Sequence, residues 1–190
     1  MNCTPEQALQ KLIDGNKMYL SYPHNTGSIS PDIREQTAAH GQQPYAVVLT
    51  CSDSRVPPEH IFSAGIGELF VVRTAGNVVG GFELGTIEYG IEHLRAPLIL
   101  IMGHTQCGAV AAALKGHGHA EGYINNITHE IHFGLNGASD EDTAVRKNIF
   151  HSKQRIMESA IIQNLVYSRD VSVACALYDI KTGKVEFFNC

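Results

Sequence analysis

Five short apolar runs, separated by stretches with helical spacing, constrain the fold of this chain more than any other feature. Residues 45–50 (YAVVLT), 69–73 (LFVVR), 97–102 (PLILIM), 171–178 (VSVACALY) and 184–188 (KVEFF) read as strands. Runs that are apolar on both faces belong in a sheet covered on both sides. Residues 82–94 have helical spacing, and residues 108–114 (GAVAAAL) read as a helix. Residues 141–167 read as one longer helix that buries Val145, Ile149, Ile156, Ile161 and Leu165. Strands alternating with helices imply parallel βαβ units, an α/β fold. The last two strands flank the turn Lys181-Thr182-Gly183 and are close enough for an antiparallel hairpin. Segment 115–142 is less regular, with a short helix expected near 124–133.

The start of the chain is a separate pattern. Thr4 can cap a helix, Pro5 suits its first position and Gln7 completes a capping box. We expect one domain over 1–190, with 1–40 as an N-terminal helical arm that could pack on a partner subunit and 41–190 as the α/β core. With 190 residues, 44% hydrophobic and 17% charged, the chain can bury a core without staples. Its net charge of −5 argues against nucleic acid as a partner. No apolar run approaches the ~18 residues of a membrane span, and the N-terminus lacks a signal-peptide pattern. A cytoplasmic protein is expected. Its five cysteines would then serve as core residues, ligands or nucleophiles more than as disulfides.

Two polar segments follow strand ends: Cys51-Ser52-Asp53-Ser54-Arg55 after the first strand, and His104-Thr105-Gln106-Cys107-Gly108 after the third. In an open parallel sheet, ligands bind beyond the carboxyl ends of the strands. If the two strands are neighbours, Cys51, His104 and Cys107 converge. Two thiolates and an imidazole form a catalytic zinc set with a fourth position open to water. Cys107 opens a helix, whose amides favour an ionised sulfur. Zinc with two thiolates is formally neutral and acidifies its water only modestly, so an acceptor nearby matters. Asp53 supplies one, and Arg55 can hold that carboxylate off the metal through a bidentate pair. A structural zinc site or a nucleophilic cysteine are the alternatives these residues leave open.

Taken together, CSDSRV at 51–56 and GHTQCGA at 103–109 resemble the paired signatures of the β-class carbonic anhydrases. The resemblance extends over Gly41-Gln42-Gln43-Pro44, the stretch 67–77 (GELFVVRTAGN), Ile87-Glu88-Tyr89 and the closing 178–183 (YDIKTG). It implies reversible hydration of CO2 to bicarbonate and a proton by zinc-bound hydroxide, with one zinc per chain on Cys51, His104 and Cys107. Asp53 and Arg55 would be the catalytic dyad. Gln42 would donate a hydrogen bond to the substrate, Phe70, Ala75 and Tyr89 would line an apolar pocket, and Gly108 would offer an amide. The implied fold is a parallel sheet of order 2-1-3-4 with an antiparallel fifth strand, helices on both faces and an N-terminal arm. The implied assembly is a homodimer with swapped N-terminal helices, or a homotetramer as a dimer of dimers. A subtype with an inhibitory bicarbonate site carries Trp where this chain has Val48; Arg73 and Tyr178 match its other elements, and no such site is expected here.

Hydrolases of carbonyl sulfide and carbon disulfide share these ligands and are the nearest rival reading. A non-catalytic zinc or redox-sensing protein is the rival from another class. Among the ten histidines, His93 is a candidate proton shuttle, and His117 and His119 could bind metal adventitiously. Cys175 reads as a core residue, and Cys3 and Cys190 have no partner at ligand spacing. The glycines of 76–85 match no phosphate-loop pattern.

Overall fold

The computed structural model describes residues 3–22, 24–116 and 122–188. His117, His119 and Cys190 lie outside the described residues. In chain order the elements are α1 (Pro5–Ser21), α2 (Pro31–His40), β1 (Ala46–Cys51), α3 (Pro58–Ile61), β2 (Leu69–Thr74), a 3₁₀ turn (Ala75–Asn77), α4 (Gly81–Glu92), β3 (Leu98–His104), α5 (Gly108–Leu114), α6 (Ile124–Leu135), α7 (Glu141–Ile156), α8 (Ala160–Tyr167), β4 (Ser172–Tyr178) and β5 (Val185–Phe188). The five strands form one sheet in the order β2-β1-β3-β4-β5. β1 is parallel to β2 and β3, β3 is parallel to β4, and β5 closes the edge antiparallel to β4. This is the expected architecture.

Alternation within each strand divides the core between two faces. Val47, Leu49, Ile99 and Ile101 pack with Ile87 of α4, Val110 of α5, Ile131 of α6, Ile149 of α7 and Ile162 of α8. Val48, Leu98, Leu100 and Met102 pack on the opposite face with Ala8 and Leu12 of α1, Ile61 of α3, and Phe62. Both faces are therefore dry, which is why the strands read as continuous apolar runs. On the first face, Gly103 lets α7 come close. A Cβ at that position would lie 2.7 Å from Ile149 Cδ1, so α7 sits directly over the end of β3.

Three expectations change. First, the segment 1–40, expected as a helical arm, brings α1 onto the chain's own sheet. α1 begins with the expected capping box at Thr4 and Gln7, but it covers its own sheet and buries Ala8, Leu12 and Asn16. The reason is a polar anchor that apolar periodicity does not show: Asn16 donates to the carbonyls of Ile61 and Gly183 and accepts from the Val185 amide. α2, by contrast, buries none of its residues. Second, the single helix expected over 141–167 is two. α7 ends at Ile156, and Ser159 caps α8 by accepting from the Ile162 amide while its hydroxyl donates to Glu88. Third, Cys175 is fully buried as a core residue should be, and it is also disulfide-bonded.

Candidate metal centre

β1 is the point where strand order turns, since β2 lies on one side of it and β3 on the other. A crevice opens there at the carboxyl ends. Cys51 is the last residue of β1 and His104 the last of β3. Cys107 is the N-cap of α5, three residues after His104. The candidate ligand atoms of Cys51, His104 and Cys107 lie within 4.8 Å of one another, and all three residues are buried.

Each donor is presented by its surroundings. His104 Nδ1 lies 2.9 Å from the Thr105 carbonyl, so Nδ1 carries the proton and Nε2 presents its lone pair. Thr105 is itself fixed: its amide donates to the Tyr178 carbonyl, and its Oγ1 accepts from the Ile180 amide. His104 Nε2 is buried without a hydrogen-bond partner among the described residues. Cys51 Sγ accepts from the amides of Gly76 at 3.2 Å and Asp53 at 3.4 Å.

The titrations of the two thiols are linked through the hydrogen bond between them. Hydrogen bonding from Cys107 outweighs burial and holds Cys51 down to about 4, helped by His104 and the two amides. Cys51 and burial push Cys107 up, against the pull of the Val110 and Ala109 amides. The amides at the start of α5 thus act on Cys107 in the expected direction, toward the ionised sulfur. Burial would lower His104, but Cys51, the Thr105 carbonyl and Asp53 carry it above an ordinary imidazole. A buried, anionic donor set with one unpaired nitrogen fits a soft dication such as zinc.

Asp53 and Arg55 are paired at the rim of this cluster. Arg55 donates from Nε to Asp53 Oδ1 at 2.9 Å and from Nη2 to Oδ2 at 2.7 Å, while its own amide donates to Oδ1 at 2.9 Å. Nη2 also reaches the Gln106 carbonyl at 3.3 Å. The Arg55 guanidinium holds the Asp53 carboxyl well below the usual carboxylate range. Asp53 Oδ2 stands 4.0 Å from His104 Nε2. Arg73, which drew notice only as part of an inhibitory site, donates to the carbonyls of Cys51 and Asp53 at 3.1 and 2.7 Å and so braces this loop. Tyr178 meets Tyr19 through their hydroxyls at 3.2 Å.

The carbonic anhydrase family model matches residues 46–185, from the first strand to the last. A carbonic anhydrase of Mycobacterium tuberculosis is 33% identical over 96% of this chain and 92% of its own length. This chain belongs to the β-carbonic anhydrase family. The carbonic anhydrase of Mycolicibacterium smegmatis is 34% identical over 97% of the chain and 94% of its own length. The solved β-carbonic anhydrase of Aspergillus fumigatus superposes with a TM-score of 0.74 at 26% identity, over 84% of this chain and 81% of that one. The enzyme accordingly catalyses the reversible hydration of CO2.

In this carbonic anhydrase, one chain brings together only part of the expected site. Ala75 follows β2 directly and Gly108 opens α5, so both lie at the cluster's end of the sheet. Gln42 precedes β1 and lies at the other end. Phe70 pairs with Val47, whereas Thr74 pairs with Cys51; four strand steps at ~3.3 Å put Phe70 about 13 Å away along the sheet. Tyr89 stacks on Phe70 at 5.9 Å and on His93 at 5.1 Å. Gln42, Phe70, Tyr89 and the candidate shuttle His93 are thus gathered at the end opposite the metal ligands. A groove of about 640 Å³ between α1 and residues 62–68 holds none of the candidate site residues.

Proposed function

We propose that Cys51, His104 and Cys107 hold one zinc ion, and that Asp53, Arg55 and Gly108 complete the catalytic half of the site. The observation that carries this reading is the buried triad with its free His104 Nε2, with Asp53 Oδ2 at 4.0 Å. Bound zinc supplies an open coordination position and makes water acidic enough to attack CO2 near neutral pH. The chain's own groups do the rest. Arg55 occupies both Asp53 oxygens, which keeps the carboxylate from swinging onto the ligand cluster. Oδ2 lies on the His104 side of the pair and would accept a hydrogen bond from water bound there. Because Arg55 makes Asp53 a weak base, that carboxylate orients a proton without keeping it. The Gly108 amide, at the start of α5, would donate to a substrate oxygen. Wild-type protein should contain one zinc per chain and hydrate CO2 in stopped-flow assays. Cys51→Ser should lose most of both. A Cys51→Ser protein with full zinc and full turnover would remove Cys51 from the site.

We further propose that the working unit is a dimer, in which each chain's Gln42, Phe70 and Tyr89 serve the partner's metal end. Their separation from the triad supports this, as does α2, which buries nothing on its own chain. Tyr89 is 48% exposed although it is a large aromatic residue. Complementation tests the idea. A Cys51→Ser chain and a Gln42→Ala chain, each poorly active alone, should regain turnover when co-assembled, because one of the two sites is then intact. Mixtures whose activity is only the average of the parents would refute it.

A further inference from the structure

We infer that Asn148 and Ser152 of α7 are positioning residues for the metal site: they clamp the turn at Ala75–Asn77 so that the Gly76 amide stays on the Cys51 sulfur. This rests on the reading of Cys51 as a metal ligand.

Gly76 has φ 66° and Asn77 has φ 48°, two successive left-handed residues. Glycine enters that region freely, and asparagine is among the few other residues that do so. A Cβ at Gly76 would come within 2.6 Å of Ile131 Cδ1, so a larger residue there would displace that side chain as well as adopt a left-handed backbone. Asn148 Nδ2 donates to the Gly76 carbonyl at 2.7 Å. Ser152 Oγ donates to the Asn77 carbonyl at 2.9 Å, stands 3.0 Å from the Asn148 carbonyl and accepts from Asn77 Nδ2 at 3.2 Å. Both peptides of the turn are therefore gripped from one helix, and the grip ends at the Gly76 N–H···S contact of 3.2 Å.

Burial makes a merely solvating role untenable. Asn77, Asn148 and Ser152 are each at most 2% exposed. α7 otherwise buries Ala144, Val145, Ile149 and Ile156 on this face. Asn148 Oδ1 has no hydrogen-bond partner among the described residues, which is costly for a core amide. An apolar side chain would avoid that cost but leave the turn unheld. Partners behind a ligand tune both its affinity for metal and its donor strength. An N–H···S bond draws electron density from a thiolate, so its loss makes the sulfur a stronger donor.

The test uses the cobalt-substituted protein, whose thiolate-to-cobalt absorption band reports sulfur donor strength independently of turnover. Asn148→Ala and Ser152→Ala should each move that band to lower energy, because the sulfur loses its N–H···S bond, and should weaken cobalt affinity by about 10-fold, because the turn no longer holds Cys51 in place. Ile149→Val, a packing change on the same helix with a comparable loss of melting temperature, should move neither. Where Asn148→Ala fails to fold, Ser152→Ala decides alone. Variants with wild-type band position and affinity, or a matching shift in Ile149→Val, would overturn the positioning role. Wild-type protein that binds no cobalt through sulfur would instead overturn the metal-site reading beneath it.

Discussion

Replacing Asp53 with Asn should cut CO2 turnover by about 10²- to 10³-fold while zinc content stays at that of the wild type. Asn matches Asp in shape, so the change isolates charge and hydrogen-bond polarity. In the native arrangement both carboxylate oxygens accept from Arg55, and Oδ2 also faces the unpaired His104 Nε2. Asn can present only one oxygen. Either Arg55 loses one arm of its bidentate grip, or the amide nitrogen points at the guanidinium and repels it. In each case the acceptor toward the reacting water is lost or mis-set. Zinc should remain, because Cys51, His104 and Cys107 are untouched and their supports come from Gly76 and Thr105. The measurement is stopped-flow hydration beside metal analysis of the same sample. Turnover within about 3-fold of wild type at full zinc would show that Asp53 is not part of the catalytic machinery.

How much of this was visible in the residues depends on how local each cause is. The strands were legible because both sheet faces are covered: 45–50 became Ala46–Cys51 and 97–102 became Leu98–His104. Cys51, His104 and Cys107 were legible as candidates because rare ligating types follow directly on those strands. The break at 157–159 was not, since Ile156, Ile161 and Leu165 keep helical spacing across it. The signal there was Ser159, a residue suited to capping that caps α8 and also reaches Glu88. α2 and α3 were missed because neither offers an apolar stripe; α2 has no buried residue at all.

The supports of the site were less legible than its donors. Asn148 and Gly76 are 72 positions apart, and only the docking of α7 over β3 brings them together. Periodicity marks Val145 and Ile149 on that face and passes over the polar residues between them. The scatter of Gln42, Phe70 and Tyr89 was, by contrast, available in principle. In a parallel sheet whose ligands sit at carboxyl ends, a residue before β1 and one near the start of β2 must lie at the opposite end. Following strand direction turns a list of expected pocket residues into two groups about one strand length apart, which is what raises the question of a second chain.

Asn16→Ala should lower the melting temperature by about 10 °C. The helix it anchors looks like an arm from its periodicity, yet the amide makes three buried hydrogen bonds, two of them across more than 160 residues of chain. Alanine leaves the Ile61 and Gly183 carbonyls and the Val185 amide without partners. Each buried orphan costs about 1–3 kcal/mol, and partial relaxation brings the sum to roughly 3–5 kcal/mol. At about 2–4 °C per kcal/mol for a chain of this size, the shift is well outside experimental scatter. Asn16→Asp should be at least as damaging, because it keeps the acceptor for Val185 but aims lone pairs at two carbonyls. Gln10→Ala, on the exposed side of the same helix where it donates to Asp14, should be nearly neutral. Thermal melts at a single protein concentration make the comparison, since assembly also shifts the midpoint. None of the three orphaned groups touches the metal ligands, so zinc content and turnover measured well below the melting range should persist. Asn16→Ala melting within about 2 °C of wild type would mean that α1 is held to the sheet by Ala8 and Leu12 alone.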